Sequence, residues 1–325
     1  MRLAAGAATS GIGKGLLLNE IIGFLQGSFD AWVRLMGTTR MQCVVGFLLF
    51  LLAADIVRRG WRLSWSRRAI KGVFATLTIF HVNFLFTPFI FLGSEKIEAL
   101  YGLLGIPSIP TDVWTGVPVW LLVPFAVVTH DFATYWNHRL LHTKWFWPVH
   151  AIHHSDPDVN GLTTYRVHML EGLVMWGSYI VILTWLGLPG DAMGFGAVLL
   201  TLHNMYVHVD VDWDHGPFRL LLASPRFHRW HHADVPDAYG KNLANVFPFY
   251  DRLFGTYYVP GTCTEPLGAD GVPQNDVVKL VLWPFLEWPR LAAAELSAFR
   301  ARLAARRVAA PAAGAHPQSG QVETA

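Results

Sequence analysis

The chain alternates long apolar stretches with short polar loops, a pattern that predicts an all-helical protein with several membrane spans. Five apolar runs are long enough to cross a bilayer, for which about 20 residues suffice. Only the segment Leu188–Asp191 separates the last two runs, so we expect them to form a tight helical hairpin. The runs cover residues 41–57, 70–93, 114–136, 169–188 and 191–209.

The composition narrows the class of protein. Hydrophobic residues make up 53% of the 325 residues and charged residues only 15%, whereas a soluble domain carries about a quarter charged residues. We therefore favour a membrane protein over a large soluble helical domain. The net charge of +2 argues against a nucleic-acid partner. Two cysteines are too few for a disulfide framework or a thiolate metal site.

The loops predict the orientation of the spans. Residues 58–71 form the most basic short stretch, with five arginines and one lysine. Because cytoplasmic loops carry an excess of Lys and Arg, we place this stretch in the cytoplasm. Counting spans onward puts the acidic loop 94–112 outside, and residues after about 210 inside. We expect a multi-pass protein of about four to five transmembrane helices, in a bacterial inner membrane, with a cytoplasmic histidine-rich helical cap.

The same pattern divides the chain into segments. The segment at 263–308 carries tryptophans, leucines and five arginines, and we interpret it as a basic amphipathic element on the anionic inner leaflet or as an ordinary packed helix. The expected divisions are 1–40, an N-terminal interfacial segment; 41–112, a first transmembrane hairpin; 113–262, a histidine-rich domain; 263–308, the amphipathic segment; and 309–325, a disordered tail.

Three histidine clusters carry the candidate chemistry, and the topology places all of them at one membrane face. Residues three or four positions apart share a helix face, so each cluster directs two or three imidazoles to one point. Neutral imidazole suits zinc, copper, iron and nickel. Together with His208 at the end of the fifth run, the clusters suit two ions better than one. They are His138 and His142; His150, His153 and His154; and His228, His231 and His232.

Other classes of protein fit this pattern less well. A haem-binding cytochrome would place paired histidines deep within two helices, and a metal transporter would place ligands along a pathway. A zinc hydrolase would place a base within the motif, and no HExxH sequence occurs. A non-catalytic metal-binding or transport protein remains the alternative from a different class.

At these residues the sequence resembles the fatty acid hydroxylase / sterol desaturase superfamily. The resemblance covers roughly residues 120–260, and the combination of its motifs is specific. The matching segments are Asp131–His142, His150–Ser155, Thr164–Glu171 with its Arg-x-His-x-x-Glu pattern, Ser224–His232, and Asn242–Tyr257.

The resemblance implies a di-iron oxygenase acting on a lipid. It implies two non-haem iron ions, with zinc an alternative in the isolated protein, and dioxygen as co-substrate. Electrons would come from a separate reductase, ferredoxin or cytochrome. The product would carry a new hydroxyl group or a new double bond, and we favour hydroxylation. The implied ligands are His138, His142, His150, His153, His154, His208, His228, His231 and His232.

Two ferrous ions held only by neutral imidazoles would leave about four positive charges near a low-dielectric bilayer. Carboxylates that accept the second ring N–H of the ligands would offset this charge, and we expect Asp131, Glu171 and Asp234 in that role. Tyr135 in the first motif is a further candidate. In some family members a second histidine follows the one matching His208, but Asp212 stands there in this chain. A tenth ligand is therefore absent, supplied from elsewhere in the chain, or a carboxylate. The further positions are His168, a candidate tenth ligand or supporting residue, and His81, His130, His203 and His215, interpreted as packing or supporting residues.

Overall fold

The computed structural model describes residues 6–85, 96–97 and 99–309. Within these ranges the regular structure is helical, and the only β-type pairing is an isolated bridge between Ala233 and Leu267. The all-helical prediction is therefore confirmed. The expected tail at 309–325 and the end of the second apolar run lie almost entirely outside the described residues.

The bounds of the α-helices are α1 Gly6–Met36, α2 Thr39–Arg59, α3 Trp61–Ser64, α4 Arg67–Phe84, α5 Val119–Leu141, α6 Trp147–His154, α7 Met169–Trp185, α8 Gly190–Val207, α9 Pro225–His231, α10 Phe249–Phe254 and α11 Val277–Ala309. Five of the α-helices, α2, α4, α5, α7 and α8, correspond to the five apolar runs.

Local capping explains where several of these helices begin. The hydroxyl of Thr38 accepts a hydrogen bond from the N–H of Met41 at the start of α2, and Ser66 caps α4 in the same way. Ser224 accepts from the N–H of Phe227, and a proline follows it at the first position of α9. Such caps satisfy N–H groups that the first turn of a helix leaves without partners.

One helix of the described part of the chain, α2, is long and apolar enough to cross a membrane on length and composition alone. Helix α7 is apolar but shorter. The multi-pass bundle predicted from the sequence is therefore taken up again as a proposal below.

Helix α5 lies at the centre of the fold and packs against both α7 and α8. Gly196 on α8 allows the close approach, because a Cβ atom there would lie 3.3 Å from the Cβ of Ala126. Leu122 and Ala126 belong to a buried apolar cluster with residues of α7 and α8. This packing fixes α5 along its length and so sets the position of the histidines at its C-terminal end.

The chain divides into two compact units, residues 1–283 and 284–325. All the histidine clusters belong to the first unit. In the described part of the second unit the chain is helical, with Leu296, Phe299 and Leu303 exposed.

Candidate metal centre

Nine histidines converge in two groups. In each group the ring nitrogens that could bind a metal ion lie within 4.8 Å of one another. The two groups adjoin, since the rings of His154 and His232, one from each group, are 4.5 Å apart between centroids. The five-histidine group comprises His138, His142, His150, His154 and His231; the four-histidine group comprises His153, His208, His228 and His232.

Helix α6 supplies both groups, and helix geometry explains how. His150 and His154 are four residues apart and point to the five-histidine group, while His153 points to the four-histidine group. Positions four apart lie about 40° from one another around a helix, whereas neighbouring positions lie about 100° apart. The HxxHH pattern therefore contains a pair for one ion and a single ligand for the other.

The third cluster repeats this division with the groups exchanged. His228 and His232, four residues apart, serve the four-histidine group, and His231 serves the five-histidine group. His138 and His142, at the end of α5, complete the five-histidine group. His208, immediately after α8, completes the other.

Hydrogen bonds to the second ring nitrogen orient four of these histidines. Nδ1–H of His138 donates to the Leu243 carbonyl at 2.7 Å, and that of His231 donates to the Lys241 carbonyl at 2.8 Å. Nδ1–H of His208 donates to the Asn204 carbonyl at 2.7 Å. Each bond fixes the tautomer with the proton on Nδ1, which leaves the Nε2 lone pair available to a metal ion.

Glu171, in the first turn of α7, supports a fourth ring. Its Oε1 lies 2.9 Å from Nδ1 of His150, and both side chains are buried. The second oxygen, Oε2, has no hydrogen-bond partner in the protein. Glu171 therefore orients the His150 ring within the five-histidine group.

The unpartnered nitrogens indicate that the residues fit metal ions. Nε2 atoms of His142, His154 and His231 are buried without a hydrogen-bond partner. In the four-histidine group, Nε2 of His208 lies 2.9 Å from that of His228 and 3.2 Å from that of His153. One lone pair cannot satisfy several neighbouring nitrogens, whereas an ion about 2.0–2.1 Å from each would engage them all.

Burial keeps the ligands in the neutral form that binds metals. It lowers the pKa of His150 and His232 well below the usual value. Neighbouring histidines lower the pKa of these two residues further, since two imidazolium ions would repel each other. Both imidazoles are therefore unprotonated at neutral pH.

Several predicted supporting residues lie elsewhere. Asp131 is fully buried, but its carboxylate accepts from the backbone N–H groups of residues 245–247 and not from a ligand ring. The Tyr135 hydroxyl lies 2.9 Å from the Thr256 hydroxyl. Asp234 accepts from the Tyr239 hydroxyl. The expected direct contacts of these residues with ligand rings are thus replaced by contacts with the surrounding framework.

His168 and Asp212 were the candidates for a tenth ligand, and both lie outside the two groups. His168 caps α7, accepting at Nδ1 from the Leu170 N–H, and its Nε2 lies 3.0 Å from the Val281 carbonyl. Asp212 forms a two-pronged ion pair with Arg226. Both ring nitrogens and both carboxylate oxygens are therefore engaged away from the centre.

The other histidines are also separate from the centre. The rings of His130 and His203 contact Tyr179 and Tyr206, and neither histidine belongs to a group. Nε2 of His215 is hydrogen-bonded to the Tyr206 hydroxyl at 2.6 Å, and Nδ1 of His81 contacts the Leu77 carbonyl. These positions match their interpretation as packing residues.

The sequence did not single out Asp251 as a supporting residue. It is fully buried and accepts from the N–H groups of Leu243 and Ala244. The carbonyl between these two N–H groups, that of Leu243, is the one bound by His138. The available signal was an acidic residue within the apolar sequence Phe249–Phe254. An acid in such a stretch is buried only where hydrogen bonds satisfy it.

The described residues form a helical protein built around two adjoining all-histidine groups, each of which could hold a metal ion. Residues 123–256 match the family model "Fatty acid hydroxylase". This match supports the resemblance of this part of the chain to the fatty acid hydroxylase / sterol desaturase superfamily. The matched region contains all nine histidines.

Curated relatives share this region. Ornithine lipid hydroxylase OlsE of Rhizobium tropici is 30% identical over 176 residues, covering 54% of this chain and 52% of the relative. Alkylglycerol monooxygenase of Danio rerio is 28% identical, covering 54% of this chain and 39% of the relative. Very-long-chain aldehyde decarbonylase GL1-11 of Oryza sativa subsp. indica is 34% identical, covering 46% and 56%.

The chain thus spans about half the length of the curated relatives it matches. No solved structure matches the chain.

Proposed function

We propose that this protein is a membrane-bound di-iron oxygenase that hydroxylates an unactivated C–H bond of a lipid, using dioxygen and electrons from a separate donor protein. The observation that carries the proposal is the pair of adjoining all-histidine groups. The similarity to a lipid hydroxylase and an alkylglycerol monooxygenase supports the lipid as substrate class.

The residues of the centre suit two redox-active ions. When bound, the two iron ions would supply the site at which dioxygen is activated. The five-histidine group offers one ion more nitrogen ligands than a four-coordinate site needs, and three of its Nε2 atoms are buried without protein partners. The adjoining four-histidine group provides the second position.

The chain's own residues hold the ligand protons and limit charge. The carbonyls of Lys241, Leu243 and Asn204 each hold one Nδ1 proton on a ligand ring. Glu171 holds the Nδ1 proton of His150 and, with metal ions bound, would offset part of their positive charge. Eight of the nine histidines are buried, and His142 is partly exposed. Bulk water therefore has little access to the ions.

The distribution of residues on α5 supports a membrane location. Its buried face carries His130, Asp131, Thr134 and His138, whereas its exposed face is apolar except for Arg139 near the C-terminal end. This is the reverse of a surface helix in a soluble protein. The exposed large apolar residues include Trp120, Leu121, Phe125, Val128, Phe132, Trp136 and Leu140.

The length of this apolar face also suits a bilayer. From Leu121 to Leu140 it extends about 29 Å at 1.5 Å per residue, against a hydrocarbon core of about 30 Å. Exposed apolar residues recur on α2, α4 and α8, for example Phe50, Phe74 and Leu199. We therefore infer a multi-pass bundle in which these faces contact lipid.

Ion pairs support a cytoplasmic position for the centre. Arg58 and Arg59, in the basic loop, pair with Asp210, which also pairs with Arg229 in the third histidine cluster. Arg68 pairs with Asp158 at 2.8 Å, close to the second cluster. The loop expected in the cytoplasm by the positive-inside rule therefore lies beside the histidines.

The test is metal analysis of the detergent-purified protein combined with lipid analysis. We expect about two iron ions per chain, oxygen uptake when a reductant is supplied, and a hydroxylated lipid in membranes that contain the protein. A double bond in place of the hydroxyl would identify a desaturase. Protein that binds no metal after iron reconstitution would contradict the proposal.

A further inference from the structure

The segment 241–247 follows the third histidine cluster and lies against the five-histidine group. Its Lys241 carbonyl accepts from His231, and its Leu243 carbonyl accepts from His138. The segment has no helix or strand structure. Regular secondary structure therefore does not hold these two carbonyls in place.

Two buried carboxylates hold the segment instead. Asp251 accepts from the N–H groups of Leu243 and Ala244 at 2.7 and 3.0 Å. Asp131 accepts from the three that follow, those of residues 245–247, at 3.1, 2.9 and 2.8 Å. Five successive backbone N–H groups thus donate to only two side chains.

A third side chain fixes the start of the segment. Asn242 adopts a left-handed backbone conformation with φ of 55°, which most residues other than glycine adopt only under strain. Its amide nitrogen donates to the carbonyls of Phe227 and Tyr258, and its Oδ1 accepts from the Tyr258 N–H. Phe227 precedes the ligand His228, so Asn242 links the segment directly to α9.

Burying two carboxylates is costly unless hydrogen bonds satisfy them. Asp131 and Asp251 are both fully buried, and neither contacts a ligand ring. We propose that Asp131, Asn242 and Asp251 are positioning residues that clamp segment 241–247, so that its carbonyls orient His138 and His231 toward a metal ion. The inference rests on the proposed function, because it gives the clamp a role toward bound metal.

The clamp acts on one group selectively. Both rings that the segment holds belong to the five-histidine group. In the other group, His208 is held by Asn204 within its own helical turn. Loosening the clamp therefore weakens the binding of the ion in the five-histidine group and leaves the ion of the four-histidine group in place.

The test compares Asp251→Asn with the unaltered full-length protein in detergent. Asparagine replaces one acceptor oxygen by an NH₂ group that faces a backbone donor. We expect the chelator concentration that removes the first ion to fall about 10–100-fold, as for other residues that orient metal ligands. The second ion is expected to be retained as in the unaltered protein. Adding His232→Ala, which removes a ligand of the four-histidine group, then assigns the retained ion.

Asp131→Asn, which cuts the other three N–H contacts, is the second variant and must show the same selective loss. Asp234→Asn is the matched control, because Asp234 contacts Tyr239 and not the segment. If Asp251→Asn does not accumulate, Thr256→Val removes only the hydroxyl that donates to Asp251 at 2.6 Å and tests the same clamp more gently.

The outcomes separate this inference from the proposed function. Two ions retained in Asp251→Asn and Asp131→Asn with unaltered resistance to chelator would overturn the clamp alone. Loss of both ions together from folded variants would overturn its selectivity. Absence of metal from the unaltered protein would instead contradict the proposed function.

Discussion

At the residue scale, neighbouring histidines have different partners. His153 and His154 are adjacent in sequence, yet their rings belong to different groups. The same holds for His231 and His232. Each HxxHH cluster therefore joins the two proposed metal sites through a single short helix, and the distance between the sites depends on the helix geometry.

This division makes a prediction for His153→Ala and His154→Ala. Each removes one ligand of one group only, so we expect each purified variant to lose about one of two ions per chain and all detectable oxygenase activity. Elemental analysis of iron measures the loss. His81→Ala, which removes an exposed histidine outside both groups, should retain both ions. Equal, complete loss of metal in both ligand variants would contradict two separable sites.

At the scale of elements, charged side chains connect α2 to the histidine-bearing helices. Asp210 follows α8 and pairs with Arg58 and Arg59 at the end of α2 and with Arg229 on α9. The same carboxylate therefore joins three elements that are distant in sequence. Desolvation by partial burial raises the pKa of Asp210, but the three guanidinium groups outweigh it and hold the pKa below its usual range.

Asp210→Asn tests this connection. The partly buried carboxylate has three cationic partners, so we expect its removal to lower the free energy of unfolding by about 1–3 kcal/mol, between the values for exposed and buried ion pairs. Thermal unfolding of the purified protein measures the change. Asp191→Asn breaks the more exposed pair with Arg40 and should cost less than about 1 kcal/mol. A smaller effect at Asp210 than at Asp191 would refute the connection.

At the scale of the whole molecule, polar groups face inward and apolar groups face outward along α5. The proposed bundle therefore exposes Val128 and Phe132 to lipid, while the buried face leads to the metal centre. The loop containing Asp112 and the region containing Asp237 are placed on opposite sides of the membrane.

Labelling of single introduced cysteines tests this topology in a background without Cys43 and Cys263. We expect a membrane-impermeant maleimide to label Asp112→Cys in intact cells and Asp237→Cys only after permeabilisation. Phe132→Cys should remain unlabelled in both preparations although its side chain is 42% exposed in the isolated chain, because lipid covers it. Efficient labelling of Phe132→Cys in intact membranes would contradict the lipid-facing assignment.

The buried histidines predict how the metal-free protein responds to pH. Burial lowers the pKa of His232, which follows α9, well below its usual value, which is about 6.5 in an unfolded chain. As the pH falls below that value, the unfolded chain binds protons that the folded chain does not, so stability falls. We expect the melting temperature of the metal-free protein to drop as the pH falls from about 6.5 to 5, with a shallower slope in His232→Ala. An unchanged melting temperature over that range would contradict the assignment.

The sequence by itself determined the helical class, the nine histidines and the resemblance to a family of oxygenases. The sequence records local features directly, such as apolar runs long enough for a helix and histidines three or four residues apart. His138 and His142 converge as the spacing predicted, because both lie at one helix end. The prediction that all three histidines of each HxxHH cluster point together is wrong, because neighbouring positions on a helix face different directions and each cluster divides between the two groups. Glu171 lies beside His150, one turn after His168.

Only the tertiary structure decided how the histidines divide between two groups and which hydrogen-bond acceptors orient their rings. Helical spacing alone permits His153 to act with either neighbour, and the packing of α5, α6 and α9 selects the partner. Asp131 and Asp251 are 120 residues apart in sequence but clamp one segment. Backbone carbonyls such as those of Lys241 and Leu243 leave no signal in side-chain identity, because every residue carries one.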